Sequence, residues 1–134
     1  MKIEEYTEFN MDEIKSLYDA VGWKAYTDNM TRLMKGYKNS LKVLAAFRDD
    51  ELIGIIRAVG DGLTIVFIQD ILVMPNEQRK GVGKSLLRAM IDLYPEVRQI
   101  ELVTDIDPKT IGFYKSLGFK ELSEVGCCGF MRLL

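Results

Sequence analysis

The stretch Val73–Leu87, VMPNEQRKGVGKSLL, limits the possible folds more than any other part of this chain. An apolar, β-branched run, Leu63 to Val73, feeds into a proline, then a basic pair, Arg79 and Lys80. Two glycines spaced by one residue, Gly81 and Gly83, follow, and then an amphipathic run with Val82, Leu86, Met90 and Leu93 on one helical face. This reads as strand, tight loop and helix. Glycines at a helix start let backbone N–H groups close around an anion, and the helix N-terminus adds partial positive charge. Lys84 and Arg88 extend the basic cluster.

Two familiar phosphate loops fail on single residues. A Walker A loop needs glycine where Gln78 stands, and a dinucleotide-binding G-x-G-x-x-G needs glycine where Leu86 stands. The strand ahead of the loop is also the fourth in the chain, not the first. Lys2–Tyr6 reads as a short strand. Ile14, Leu17, Tyr18 and Val21 form a helical stripe behind the cap candidates Asn10 and Asp12, and Met30, Leu33, Met34 and Tyr37 form a second. Leu41–Phe47 and Leu52–Val59 read as a hairpin about Asp49-Asp50. A turn at Asp61-Gly62 precedes the long run into the loop. After the glycine helix, which Pro95 ends, come a strand at Gln99–Thr104 and a helix opened by Asp107-Pro108 and stopped by Gly118. Two strands around Gly126 are expected to close the chain. The order β α α β β β α β α β β makes a mixed, mostly antiparallel sheet of six to seven strands with about four helices. It is an α/β (α+β) fold and a single domain over residues 1–134.

Composition narrows the chemistry. A net charge of -2 argues against a general nucleic-acid surface, and no apolar run reaches the length of a membrane span. The N-terminus lacks the pattern of a signal peptide, so a cytoplasmic protein is expected, with no nucleic-acid or membrane partner. There is no histidine, which removes His-based triads and zinc sites and leaves a carboxylate, tyrosine, cysteine, amine or water as proton acceptor; no metal is expected. Cys127 and Cys128 are adjacent and read as reduced thiols.

Gln78, Gly81 and Gly83 match the Q/R-x-x-G-x-G/A loop of the GNAT acetyltransferases, which the whole segment resembles. A second match lies downstream, where DPKTIGFYKSLGF (Asp107 to Phe119) resembles the family's N-x-x-A-x-x-F-Y-x-x-x-G-F, with Asp107 in place of asparagine and Thr110 in place of alanine. The resemblance implies a GNAT fold splayed between the strand at Ile71–Met74 and the one at Ile100–Thr104. It implies acetyl-CoA as cosubstrate, bound by Leu72, Val73, Met74, Gln78, Arg79, Lys80, Gly81, Val82, Gly83, Lys84, Ser85, Thr104 and Asp107. Open backbone N–H groups at Leu72 to Met74 would hold the pantetheine arm and polarise the thioester.

The resemblance further implies direct attack by a primary amine in a ternary complex, with Tyr114 as general acid. Asp70, a charge inside the apolar run VFIQDILV, is the leading candidate base, ahead of Gln69, Glu101 and Asp105; hydrogen bonding to Arg57 is its structural alternative. Trp23, Tyr26 and Arg57 are candidate acceptor contacts, with Asp61 beside them. A small-molecule amine is favoured over a protein amine. A homodimer, in which the apolar end GFMRLL could take part, stays open. The rival reading is a non-catalytic acyl-CoA-binding module.

Overall fold

The computed structural model describes residues 1–133, which form two compact units, one from Met1 to Val103 and the other from Thr104 onward. In the first unit, five strands form one sheet in the order β1-β2-β3-β4-β5: β1 (Lys2–Glu5), β2 (Lys42–Arg48), β3 (Glu51–Gly60), β4 (Val66–Val73) and β5 (Ile100–Leu102). The first three pairings are antiparallel, and β4 to β5 is parallel, as expected after a helical crossover. The β2–β3 hairpin turns on Asp49 and Asp50, both at positive φ (51° and 66°), a conformation that aspartate tolerates and that matches the strand twist. Gly60 (φ 127°) has no such freedom to change, because a Cβ there would lie 2.5 Å from the Ile65 carbonyl oxygen.

Strand β3 is buried on both faces from Leu52 to Ala58, which explains its unbroken apolar run. One face carries α1 (Met11–Ala20), the short α2 (Lys24–Thr27) and α3 (Met30–Lys38). There Ile14, Leu17, Tyr18, Leu33 and Tyr37 pack on Val43, Ala45, Ile55 and Leu72. Asn10 caps α1, its side chain accepting from the backbone N–H groups of Asp12 and Glu13. The other face carries α4 (Val82–Leu93), whose Val82, Leu86, Leu87 and Met90 are buried. Gly54 admits that helix: a Cβ would come within 3.1 Å of Val82 and Leu86 side chains and of the Leu72 carbonyl oxygen.

In the second unit, Asp107 caps α5 (Pro108–Ser116), accepting from the Lys109 N–H at 3.1 Å, as its place before a proline predicts. A 3-10 turn at Leu122–Val125 follows, held by reciprocal Glu121 and Glu124 capping bonds and by Lys115, whose Nζ lies 3.1 Å from both carboxylates.

The expected α/β class holds, and the counts differ from expectation. Five strands and five α-helices are present among the described residues. The two strands expected around Gly126 are absent there: Leu122–Val125 coils into the 3-10 turn, Gly126 turns it at φ 77°, and residues 126–133 are exposed with no ladder partner. The strand expected from Leu63 begins only at Val66, because Asp61 Oδ1 gathers the N–H groups of Leu63, Thr64 and Ile65 into a turn. No helix among the described residues is long and apolar enough to cross a membrane.

Candidate active site

The splay is visible in the pairing itself. β5 meets β4 only at Val66↔Ile100, Phe67↔Glu101 and Ile68↔Leu102, so from Gln69 onward β4 has a strand on its β3 side alone. Which backbone groups face the gap follows from the register. Met74 N–H donates to the Ile53 carbonyl at 2.8 Å, a ladder bond to β3. Antiparallel ladders alternate, and Leu72 opposes Ile55 two residues along, so its N–H also points to β3. Val73 and Ile71 lie between them and turn their N–H and carbonyl groups to the open edge. Of the three residues expected to offer donors there, Leu72 and Met74 are therefore corrected: their amides serve the sheet, and Val73 is the one that presents its own. The side chain of Gln78 agrees with this assignment, since its Nε2 donates to the Val73 carbonyl at 3.1 Å and ties the loop to the strand end.

Beyond Met74, a 3-10 turn at Pro75–Glu77 leads to Gln78 in extended conformation, then to Arg79 at φ 64° and Gly81 at φ 85°. A Cβ on Gly81 would meet nothing, so only the backbone conformation calls for glycine there. No side chain caps α4, and its first intrahelical bond runs from Ser85 N–H to the Gly81 carbonyl at 3.0 Å. The N–H groups of Val82, Gly83 and Lys84 are thus left open at the positive end of a 12-residue helix, beside the cations of Arg79, Lys80 and Lys84. Such a concavity binds anions, and phosphate oxygens suit it.

Glu77 was passed over in the sequence, where a carboxylate next to a basic loop reads as surface. It is buried, with Arg48 Nε donating to Oε1 at 3.0 Å and Oε2 at 3.3 Å. Lys80 Nζ stands 3.9 Å from Oε2, so Glu77 couples the loop to the β2 end.

On the α1/α3 face, the acceptor candidates gather around Asp70. Its side chain is 0% exposed; Oδ2 accepts from Arg57 Nε at 2.6 Å and from Tyr18 OH at 2.8 Å. Tyr18 OH lies 2.8 Å from Tyr37 OH, over whose ring the Arg57 guanidinium sits at 5.2 Å. Trp23 and Tyr26 stack at 6.0 Å, and both rings also meet Tyr18, at 6.3 and 5.5 Å. The sequence singled out Trp23, Tyr26, Arg57 and Asp70 separately; the fold brings them together and adds Tyr18 and Tyr37, which had read only as helix stripe. Gln69 is exposed, its Nε2 3.5 Å from Tyr26 OH, and Asp105 and Asp61 are exposed as well. Asp61 is committed to its turn, whose hydrogen bonds from Thr64 and the backbone hold its carboxyl below the usual range.

Burial is the largest cause that pushes the phenols of Tyr6, Tyr18 and Tyr37 well above their ordinary 10.0. The sign follows directly: these groups ionise more readily in the unfolded chain, so their contribution is whole below pH about 10 and is lost as pH rises further. Melting temperatures across mildly to strongly alkaline buffers should therefore hold steady and then drop above pH about 10. A flat profile there would mean that the phenols titrate as freely in the fold as out of it.

In the second unit, Tyr114 is 9% exposed, with edge-on partners Phe113 at 5.1 Å and Phe119 at 5.8 Å. Burial raises its phenol, which keeps the proton on the oxygen at neutral pH. Thr104 is exposed, and Asp107 spends its carboxylate on the helix cap and on Thr110 Oγ1 at 3.2 Å.

A sheet parted at its parallel pair, with an uncapped helix and a basic glycine loop at the end of the parted strand, gives an α/β arrangement whose open groups suit an extended anionic ligand. The sequence profile of the acetyltransferase (GNAT) family matches residues 6–119, and the chain belongs to that family. A GNAT-family acetyltransferase of Streptococcus pneumoniae has the same fold with a TM-score of 0.89 at 34% identity, over 99% of this chain and 97% of that one. An uncharacterized N-acetyltransferase of Gracilaria tenuistipitata is 32% identical over 120 residues, which cover 82% of this chain and 62% of that protein. A chloroplastic GCN5-related N-acetyltransferase of Arabidopsis thaliana is 27% identical, over 82% of this chain and 56% of its own length. The chain thus spans about three-fifths of the length of the curated relatives it matches. An aminoglycoside 6'-N-acetyltransferase complexed with coenzyme A shares the fold at a TM-score of 0.68 and 24% identity.

Proposed function

We propose that this chain is an acetyl-CoA-dependent N-acetyltransferase that acts as one domain on a primary amine, by direct attack in a ternary complex. The observation that carries the reading is the open, uncapped start of α4 under a basic loop, at the end of a strand whose Val73 N–H faces a gap. The pyrophosphate takes the N–H groups of Val82, Gly83 and Lys84, with charge from Arg79, Lys80 and Lys84 and the loop held in place by Gln78; Ser85 follows in the same first turn. The pantetheine arm lies along the open edge of β4. A relative's complex with coenzyme A supports the same ligand here.

The reaction balances simply. The neutral amine's lone pair forms a bond to the thioester carbon, and Val73 N–H stabilises the carbonyl oxygen as it gains charge. The C–S bond then breaks, the thiolate takes a proton from Tyr114, and the nitrogen gives up its own. Thr104 and Asp107 keep the cofactor roles that the family pattern gives them. Asp70 reads less well as the base than the sequence suggests. By strand rise it lies roughly 10 Å from Val73, whereas a general base works within about 3 Å. The released proton passes to water instead.

Thermal unfolding with and without acetyl-CoA tests the reading, with ATP and NAD as controls. At 100 times its Kd, acetyl-CoA should add about 2.7 kcal/mol and raise the midpoint by several degrees. A shift with ATP or NAD and none with acetyl-CoA would refute it.

A further inference from the structure

Asp70 Oδ1 has no hydrogen-bond partner and is fully enclosed, the only such buried side-chain atom among the described residues. A buried carboxylate oxygen left bare is costly, so Oδ1 calls for a donor that the chain itself does not supply. Arg57 Nε and Tyr18 OH both donate to Oδ2 and leave Oδ1 its lone pairs.

The carboxylate stands beside an aromatic cluster, which reaches it through Tyr18 OH on Oδ2. Trp23, 38% exposed, and Tyr26 stack on each other, and both rings meet buried Tyr18, whose hydroxyl donates to Asp70 Oδ2. Ring faces attract cations, and Arg57 over Tyr37 already uses one in this way. The cover is loosely fixed. Helix α2 has four residues and buries no side chain, its cap residue Trp23 makes no side-chain cap, and Gln69 Nε2 reaches Tyr26 OH only at 3.5 Å. A segment with so few buried contacts opens at low cost.

Distance decides which nitrogen the oxygen would receive. With Asp70 roughly 10 Å along the strand from Val73, the group bound at Asp70 is not the one attacking the thioester. We propose that Asp70 Oδ1 receives a second ammonium of the acceptor, so that the preferred substrates are alkyl diamines and their polyamine homologues. The inference rests on the acetyltransferase reading. Asp70 accepts the N–H bonds of the distal ammonium, the rings of Trp23, Tyr26 and Tyr18 flank its methylenes, and the free amine is delivered toward Val73.

The test compares putrescine with n-butylamine, equal in chain length and different by one nitrogen, by thiol release from acetyl-CoA with the wild-type chain. Putrescine should show kcat/KM about tenfold or more above n-butylamine, mainly through KM. In Asp70→Asn that ratio should fall towards one while acetyl-CoA still raises the melting temperature. Equal kcat/KM for the two amines with the wild type overturns the inference, whether or not the variant folds, and leaves Oδ1 to a buried water. Acetyl-CoA binding without turnover of putrescine overturns the inference alone; failure to bind acetyl-CoA removes the acetyltransferase reading with it.

Discussion

Arg57→Met should lower the unfolding free energy by about 3–5 kcal/mol, enough to unfold a marginally stable domain at ordinary temperature. The cause is the partner left behind. Asp70 lies inside the sheet–helix interface with Oδ2 at 2.6 Å from Arg57 Nε, so removing the cation leaves its charge buried without a counterion. Tyr18 OH alone would remain to face the charge. The double variant Arg57→Met/Asp70→Leu should recover most of the loss, because an apolar pair of similar volume removes both charges together. Denaturant midpoints of the two single variants and the double variant measure the coupling. A single-variant loss below about 1 kcal/mol would mean that the pair is solvated like a surface one.

Tyr114→Phe should lower kcat at least tenfold and leave the acetyl-CoA thermal shift in place, since general acid catalysis contributes about 10²–10⁴-fold. The ring stays, so its packing on Phe113 and Phe119 is kept and the fold is not the variable. With the phenol raised by burial, the wild-type acid limb should persist beyond the ordinary 10.0 before activity declines. A loss under threefold would take the proton from some other source and assign Tyr114 to packing.

The glycine loop was legible because two residue types there answer a backbone need: Gly81 must adopt a positive φ, and Gln78 must reach back to Val73. The Asp107 cap was legible for the same local reason. The C-terminal strands were misread because the apolar residues around Gly126 do not reveal whether a ladder partner forms, and residues 126–133 have none. The composition of Leu122–Val125 cannot announce its capping box against that pattern. Asp70 stood out as a charge in an apolar strand, and Arg57 was named as its structural alternative. The tyrosines that complete the cluster come from helices 19 residues apart in sequence, and helical spacing alone marks them as core. Glu77 carried no signal, since its burial depends on an arginine 29 residues away.

The open donor on β4 belongs to the main chain, and this changes what variation at position 73 means. Any residue but proline placed there keeps the N–H, so under the proposed function side-chain exchange at Val73 would alter the surroundings of the pantetheine arm without deleting the donor to the thioester. Proline alone removes it. A substitution at residue 73 other than proline therefore leaves the donor in place, provided that β4 stays in register with β3.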